Sequence, residues 1–358
     1  MMGSRGKISL PDATFHCSFC HTHYARAARQ LYCPPVVRMT MKHFSIAAAV
    51  VVMAAVLISA CSSDSDDTPV TPNTTADRSG AMVLIKSKGA SFQMGSTAGS
   101  SDEQPVHAVA FTYDFYMDTT EVTQETYDRV MLAGYAGYGT PFWGAPFGEG
   151  PNYPAYSVEW EDAALYCNAL SRQEGLDTVY AYTAILGTPG NGCKFNGLTM
   201  HPERNGYRLP TEAEWEFACR AGSTTDFYWQ KNYQPYPETA ADSSEISAAA
   251  VWAANSWYLS SDHADFGTRP VAQHTPNAWG LYDMAGNLTE WCHDWYGDNY
   301  YAESSASDPT GPDSGDWHAL RGGNWGNEAV YLRSSNRTFS SPDYLFYFIG
   351  FRTVRPVR

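Results

Sequence analysis

The 358-residue sequence is short of positive charge: 23 Lys and Arg stand against 38 Asp and Glu, a formal net charge of −15. Residues 1–60 hold six of the basic residues and one of the acidic ones, so 17 and 37 remain beyond them. Without a basic face the chain is not expected to bind nucleic acid, because phosphate recognition needs clustered Lys and Arg. The acidic excess fits solubility and divalent cations. His-Glu-Xaa-Xaa-His is absent, and His201, His263, His274, His293 and His318 show no metal-ligand spacing; His293 beside Asp294 is the one pair worth testing. No repeat of solenoid or propeller period is present. Cys17-Ser-Phe-Cys20, with His21 and His23, has no second pair at zinc-site distance.

Long apolar runs are also scarce, and the one present is informative. From Met41 the chain reads Met-Lys-His, then small and apolar residues from Phe44 to Ala60, ending Ile-Ser-Ala-Cys61. A short basic start, an apolar core and small residues before a cleavage point form an export signal. Its end resembles a bacterial lipobox, which makes residues 41–60 an expected lipoprotein signal peptide and Cys61 the lipidated first residue. Residues 1–40 then read as an extension upstream of the true start. Residues 61–80 run from Cys61 into Ser62-Ser-Asp-Ser-Asp-Asp67 and continue Thr- and Pro-rich, the composition of a disordered tether. The acidic start resembles surface-export signals of Gram-negative lipoproteins. The expectation is an exported protein, lipid-anchored to the cell envelope at the outer membrane.

Four cysteines remain beyond the tether: Cys167, Cys193, Cys219 and Cys292. An even number in an exported chain permits two disulfides, in any of three connectivities, or a set of buried thiols. No pair has redox spacing, so their expected role is structural. Residues 81–356 have the length of one large domain, with Trp, Tyr and Gly spread throughout. Met82–Ile85 and Ser91–Met94 flank Lys88-Gly-Ala as a hairpin would. Phe111–Met117 alternates like a strand, and Thr123 caps a helix to about Leu132. In Trp160–Arg172 a helix places Ala164, Cys167 and Leu170 on one inward face, with Gly175 as its stop. Leu209–Gly222 contains the clearest helix, with Thr211 and Glu214 as a capping box. Pattern alone gives an α+β fold.

Several segments, in order, carry a resemblance: Met82–Ser96, Asp102–His107, Phe115–Thr123, Tyr207–Trp215, Asn277–Asn287 and Arg321–Arg352. They resemble the landmarks of the formylglycine-generating, or sulfatase-modifying factor, domain. The resemblance covers essentially all of 81–356 and implies a single α+β domain, rich in irregular structure and distantly similar to C-type lectin-like domains. The family's copper enzymes carry two cysteines, four residues apart, just after the Gly-Gly pair. Here those positions are Asn327 and Leu332, the serine beside the first is Asn324, and the asparagine before Gly350-Phe-Arg is Phe348. Cu(I) is a soft ion that takes thiolates; an amide is a poor ligand and Leu offers none. Copper-dependent oxidation is therefore not expected, and no catalytic residue is assigned.

The resemblance also implies a calcium loop, Asp283-Met-Ala-Gly286-Asn-Leu288-Thr-Glu290, with side-chain oxygens from Asp283 and Glu290 and carbonyls from Gly286 and Leu288. A tight turn bearing two carboxylates suits a hard ion that wants six to eight oxygens. Thr289, where the family commonly has Trp, lies between those ligands. Arg321, Arg333, Arg337 and Arg352 are expected to pair with carboxylates inside the domain. Trp279, Trp291, Trp295, Trp317, Trp325, Tyr331, Phe346 and Tyr347 belong to the core or line a groove. Two functions remain: a noncatalytic binding or structural lipoprotein, using the former copper pocket or a surface groove for a peptide, protein or glycan, and an oxidoreductase of divergent, non-copper chemistry.

Overall fold

The computed structural model describes residues 82–233 and 239–357. Cys61, the signal segment and the tether lie outside them. The first surprise is local. Strand β1 (Met82–Ile85) does not fold back on β2 (Ser91–Met94). Instead β1 pairs antiparallel with β4 (Asp114–Asp118), while β2 pairs with β3 (His107–Ala110). The reason lies in the connecting turn. Ser87 Oγ donates to the Tyr113 carbonyl at 2.6 Å and the Lys88 N–H donates to Asp114 at 2.8 Å, so the turn is fastened to the start of β4 and the two strands diverge. The expected hairpin is thus replaced by two separate pairings.

Helix α1 (Gln124–Gly134) starts at Thr123, whose side chain accepts the Thr126 N–H. It packs on α2 (Trp160–Gln173), which is buried nearly all round, beyond the single inward face read from the sequence. The additional cover comes from short antiparallel ribbons unforeseen in the sequence: β5 (Tyr180–Ala181) with β8 (Thr199–Met200), and β6 (Ala184–Gly187) with β7 (Cys193–Asn196). Helix α3 (Glu212–Arg220) has the expected Thr211/Glu214 capping box. It ends at Arg220, with Ala221 in the left-handed region before Gly222. Helix α4 (Ala240–Ala249), also unforeseen, buries only Ile246 and Ala249.

The second half builds the main sheet. Strands β9 (Thr289–Trp295), β10 (His318–Arg321), β11 (Arg337–Ser340) and β12 (Ile349–Gly350) align in the order β11-β10-β9-β12, antiparallel except for β12 beside β9. Strand β13 (Val354–Val357) closes the first sheet against β4. Helix α3 packs against β2, β9 and β10. Its acidic residues, which would ordinarily face water, are buried: Glu214 pairs with Arg208, Glu216 with Arg220 and Arg321, and Glu212 with Arg321 and Arg337. Arg333 pairs with Glu103 and Arg352 with Glu290. All four expected structural arginines thus meet carboxylates within the domain. Cys167, Cys193, Cys219 and Cys292 are all free and buried, which answers the disulfide question in favour of packed thiols.

Candidate functional site

At the end of β10 the chain must turn sharply, and the Gly322–Gly323 pair makes the turn possible. Gly323 sits at φ 66°, and a Cβ there would meet the Leu332 side chain and the Tyr331 carbonyl at 2.7 Å. The four residues that follow knit themselves together. Asn324 Nδ2 donates to Thr289 Oγ1 at 2.9 Å, Gly326 N donates to Asn324 Oδ1 at 2.9 Å, and Asn324 N donates to Asn327 Oδ1 at 3.0 Å. Trp325 is buried, donating its backbone N–H to the Asn287 carbonyl and its indole N–H to the Tyr347 carbonyl. Below it lies an aromatic nest that includes Phe147, Trp257 and Phe266.

This turn forms one wall of a cleft of about 250 Å³, whose other walls are β11 and the segment Tyr344–Ile349. Of the expected pocket residues, Asn324, Asn327 and Phe348 line the cleft. Leu332 does not: it is 1% exposed and packs in the core behind Gly323. Sequence reasoning missed Asn336, Thr338, Phe339, Ser340 and Tyr344, because 337–340 gave no strand signal of its own. The lining contains no Cys, His, Asp or Glu. A Cu(I) ion does not fit these residues. Asn327 spends its amide oxygen on the backbone, and Leu332 is turned away into the core with no donor to give.

The eight-residue loop Asp283–Glu290 backs onto the cleft. Gly286, at φ 77°, donates its N–H to the Gly322 carbonyl and lies against the Val251 backbone with no room for a side chain. Thr289 belongs to both loop and cleft. Asp283 is buried and accepts the Ala272 N–H at 2.7 Å. Glu290 accepts from Arg352 through both oxygens, at 2.7 and 2.8 Å, and from the Trp215 indole at 2.8 Å. A third buried carboxylate, Glu121, accepts the Leu288 N–H and the Asn287 side-chain amide. No role was read for Glu121 from the sequence, although it sits in the landmark Thr-Glu-Val-Thr. Burial, then the charges of Asp283 and Glu290, pushes its carboxyl well above the ordinary range. Burial likewise pushes Asp283 up to about 6, against the pull of the Ala272 N–H and Arg352.

Three buried carboxylates therefore stand near one another and, among the described residues, Arg352 is the one cation paired into the group, through Glu290. Among the described residues no three His, Cys, Asp or Glu side chains stand at metal-binding distance of one another. An ion here would draw on the carbonyls of Gly286 and Leu288 as well as on carboxylate oxygen, the mixed oxygen set that calcium accepts. The donor types are those calcium takes, but the side chains are not gathered at coordinating distance, and Glu290 already gives both oxygens to Arg352. Elsewhere, His293 is buried and hydrogen-bonded to the Tyr180 hydroxyl at 3.2 Å, with burial pushing it down to about 3. It is a neutral core residue, and Asp294 beside it accepts the Glu212 N–H instead.

Residues 68–357 match the sulfatase-modifying factor enzyme 1-like domain. A formylglycine-generating enzyme of Streptomyces coelicolor is 30% identical over 292 residues, covering 75% of this chain and 87% of that protein. The serine/threonine-protein kinase pkn1 of Chlamydia caviae is 31% identical over 282 residues, but the chain spans only 38% of the kinase's length. Among solved structures, Treponema denticola variable protein 1 superposes with a TM-score of 0.60 at 28% identity, covering 81% of this chain and all of that one. PvdO from Pseudomonas aeruginosa follows with 0.57 at 26% identity, covering 77% and 94%.

Proposed function

Since the chain belongs to the sulfatase-modifying factor enzyme 1-like family, we propose that it is a noncatalytic binding module of the cell envelope, which holds its ligand in the cleft beside Asn324 and Asn327. The observation that carries this reading is the pair at the copper positions. Asn327 is hydrogen-bonded into its own turn and Leu332 is buried in the core, so neither position offers a soft-metal ligand. Lipid anchoring at Cys61 supplies the membrane attachment, on the support of the signal pattern in residues 41–61. Calcium in the Asp283–Glu290 loop would stiffen the wall that Thr289 shares with the cleft.

The direct test supplies Cu(I), oxygen and a thiol-containing peptide to the purified protein and follows oxygen consumption. No consumption above the protein-free control is expected; copper-dependent turnover would overturn the reading. A second reading, an oxidoreductase of divergent chemistry, draws on the likeness to the Streptomyces enzyme over most of its length. Turnover without copper in the same assay would support it. For the anchor, Cys61→Ser is expected to move the protein from the membrane fraction to the soluble one.

A further inference from the structure

The cleft's chemistry says more than that something binds there. Its lining is made of aliphatic and aromatic side chains with Asn, Thr and Ser between them. Not one of these is Lys, Arg, His, Asp or Glu, although the chain carries a formal charge of −15. A ligand that relied on ionic anchors would find none.

Two kinds of group are on offer instead. The first is ring surface. Tyr331 and Tyr344 are 47% and 46% exposed, Phe346 stands 5.2 Å from Tyr344 between ring centroids, and Trp317, 45% exposed, extends the strip by packing on Phe339 at 5.0 Å. Large rigid rings held half open present contact area at low entropic cost. The second is uncharged hydrogen-bonding capacity. Among the described residues the Asn336 side-chain amide, the Thr338 and Ser340 hydroxyls and Asn327 Nδ2 have no hydrogen bond, whereas the Asn324 side chain is engaged in holding the turn. Amides and hydroxyls both give and accept hydrogen bonds, which matches a ligand whose own groups do the same.

We propose that this cleft binds an uncharged saccharide, whose apolar ring face stacks on Tyr331 and Tyr344 and whose hydroxyls meet Asn327, Asn336, Thr338 and Ser340. The proposal rests on the binding-module reading and names its ligand class. At about 250 Å³ the cleft lies just below the roughly 300–1,000 Å³ of sites that enclose drug-sized ligands, so it would seat one or two rings of a longer chain. Peptide addition along the edge strand β11 competes for the same place. It would be satisfied by backbone groups and leaves the side-chain amides and hydroxyls without a purpose.

The test is calorimetric titration of the purified protein with cellotetraose, maltotetraose, xylotetraose and chitotetraose. At least one is expected to bind with a Kd at or below about 1 mM, with no change on raising salt, since no charge takes part. The double substitution Tyr331→Ala/Tyr344→Ala is expected to weaken that binding by about tenfold or more at unchanged melting temperature, because both rings are half exposed. Asn336→Ala should weaken it separately, by loss of a hydrogen-bonding group. If none of the four sugars binds, or if binding survives both variants, the saccharide assignment fails. Capture of an uncharged peptide in the cleft, lost in the tyrosine double variant, would overturn the saccharide while leaving the binding module intact. Oxygen turnover in the assay above would instead remove the module itself.

Discussion

Arg333 and Glu103 lie 230 residues apart and form a buried pair, with nitrogen to oxygen distances of 2.6 and 2.8 Å. The pair pins the 3₁₀ turn Ser101–Glu103 to the segment after the cleft turn, and Glu103 also accepts the Ser100 N–H. Removing one partner strands the other charge away from water. Arg333→Ala is therefore expected to cost about 3–5 kcal/mol in urea denaturation, whereas Arg333→Met combined with Glu103→Leu should cost far less. A loss under about 1 kcal/mol for the single variant would show that the pair contributes little.

The carboxylates Glu121, Asp283 and Glu290 share one arginine, which makes the loop sensitive to its counter-ion. If calcium occupies it, a concentration one hundred times Kd stabilises the fold by about 2.7 kcal/mol, or about 5 °C for a domain of this size. Calorimetric melting with calcium and then with excess chelator measures this directly. Asp283→Asn is expected to abolish the difference. Identical melting temperatures in the two conditions would remove calcium from the account.

How far the sequence could be read depended on the range of the forces involved. Caps and helix patterns act within a few residues, so the Thr123 cap and the Thr211/Glu214 box were legible. Strand partners are chosen across the chain, and the pairing of β1 with β4 turned on Ser87 and Lys88 bonding to Tyr113 and Asp114, which no local pattern encodes. The candidate site divides in the same way. Asn324, Asn327 and Phe348 were found because a motif marked them. Thr338, Ser340 and Tyr344 reach the cleft only through the sheet order β11-β10-β9-β12. Leu332 occupies a marked position yet faces the core, where it packs against the turn at Gly323.

The free thiols give a redox prediction. Burial raises Cys193 and pushes Cys219 up to about 12, so neither is a thiolate at neutral pH. Reductant should leave the melting temperature unchanged. Ellman's reagent should find none of Cys167, Cys193, Cys219 and Cys292 in the folded protein and all of them after guanidinium denaturation. A destabilisation by dithiothreitol would require a disulfide after all.

The start of α2 predicts how stability depends on pH. Glu159, Glu161 and Asp162 stand side by side, and Glu159 and Glu161 each keep a buried carboxylate oxygen with no hydrogen-bond partner among the described residues. Facing them are Lys194, Asp343 and Cys193. Burial, then the neighbouring charges of Asp162 and Glu161, pushes Glu159 up to about 7; burial does the same to Glu161. A carboxyl whose folded pKa lies above its unfolded value holds its proton more tightly in the folded state. Below pH 4.5 both states are protonated and the pair is neutral in effect; between 4.5 and 7 the unfolded chain ionises first, so stability falls as pH rises, and above 7 the loss is complete. Asp283 slopes in the same direction, so the informative quantity is the difference between the native protein and Glu159→Gln/Glu161→Gln. That double variant, melted at pH 5 and at pH 8, is expected to lose less stability between the two than the native chain. Equal losses would mean that these carboxyls are solvated and titrate normally in the folded protein.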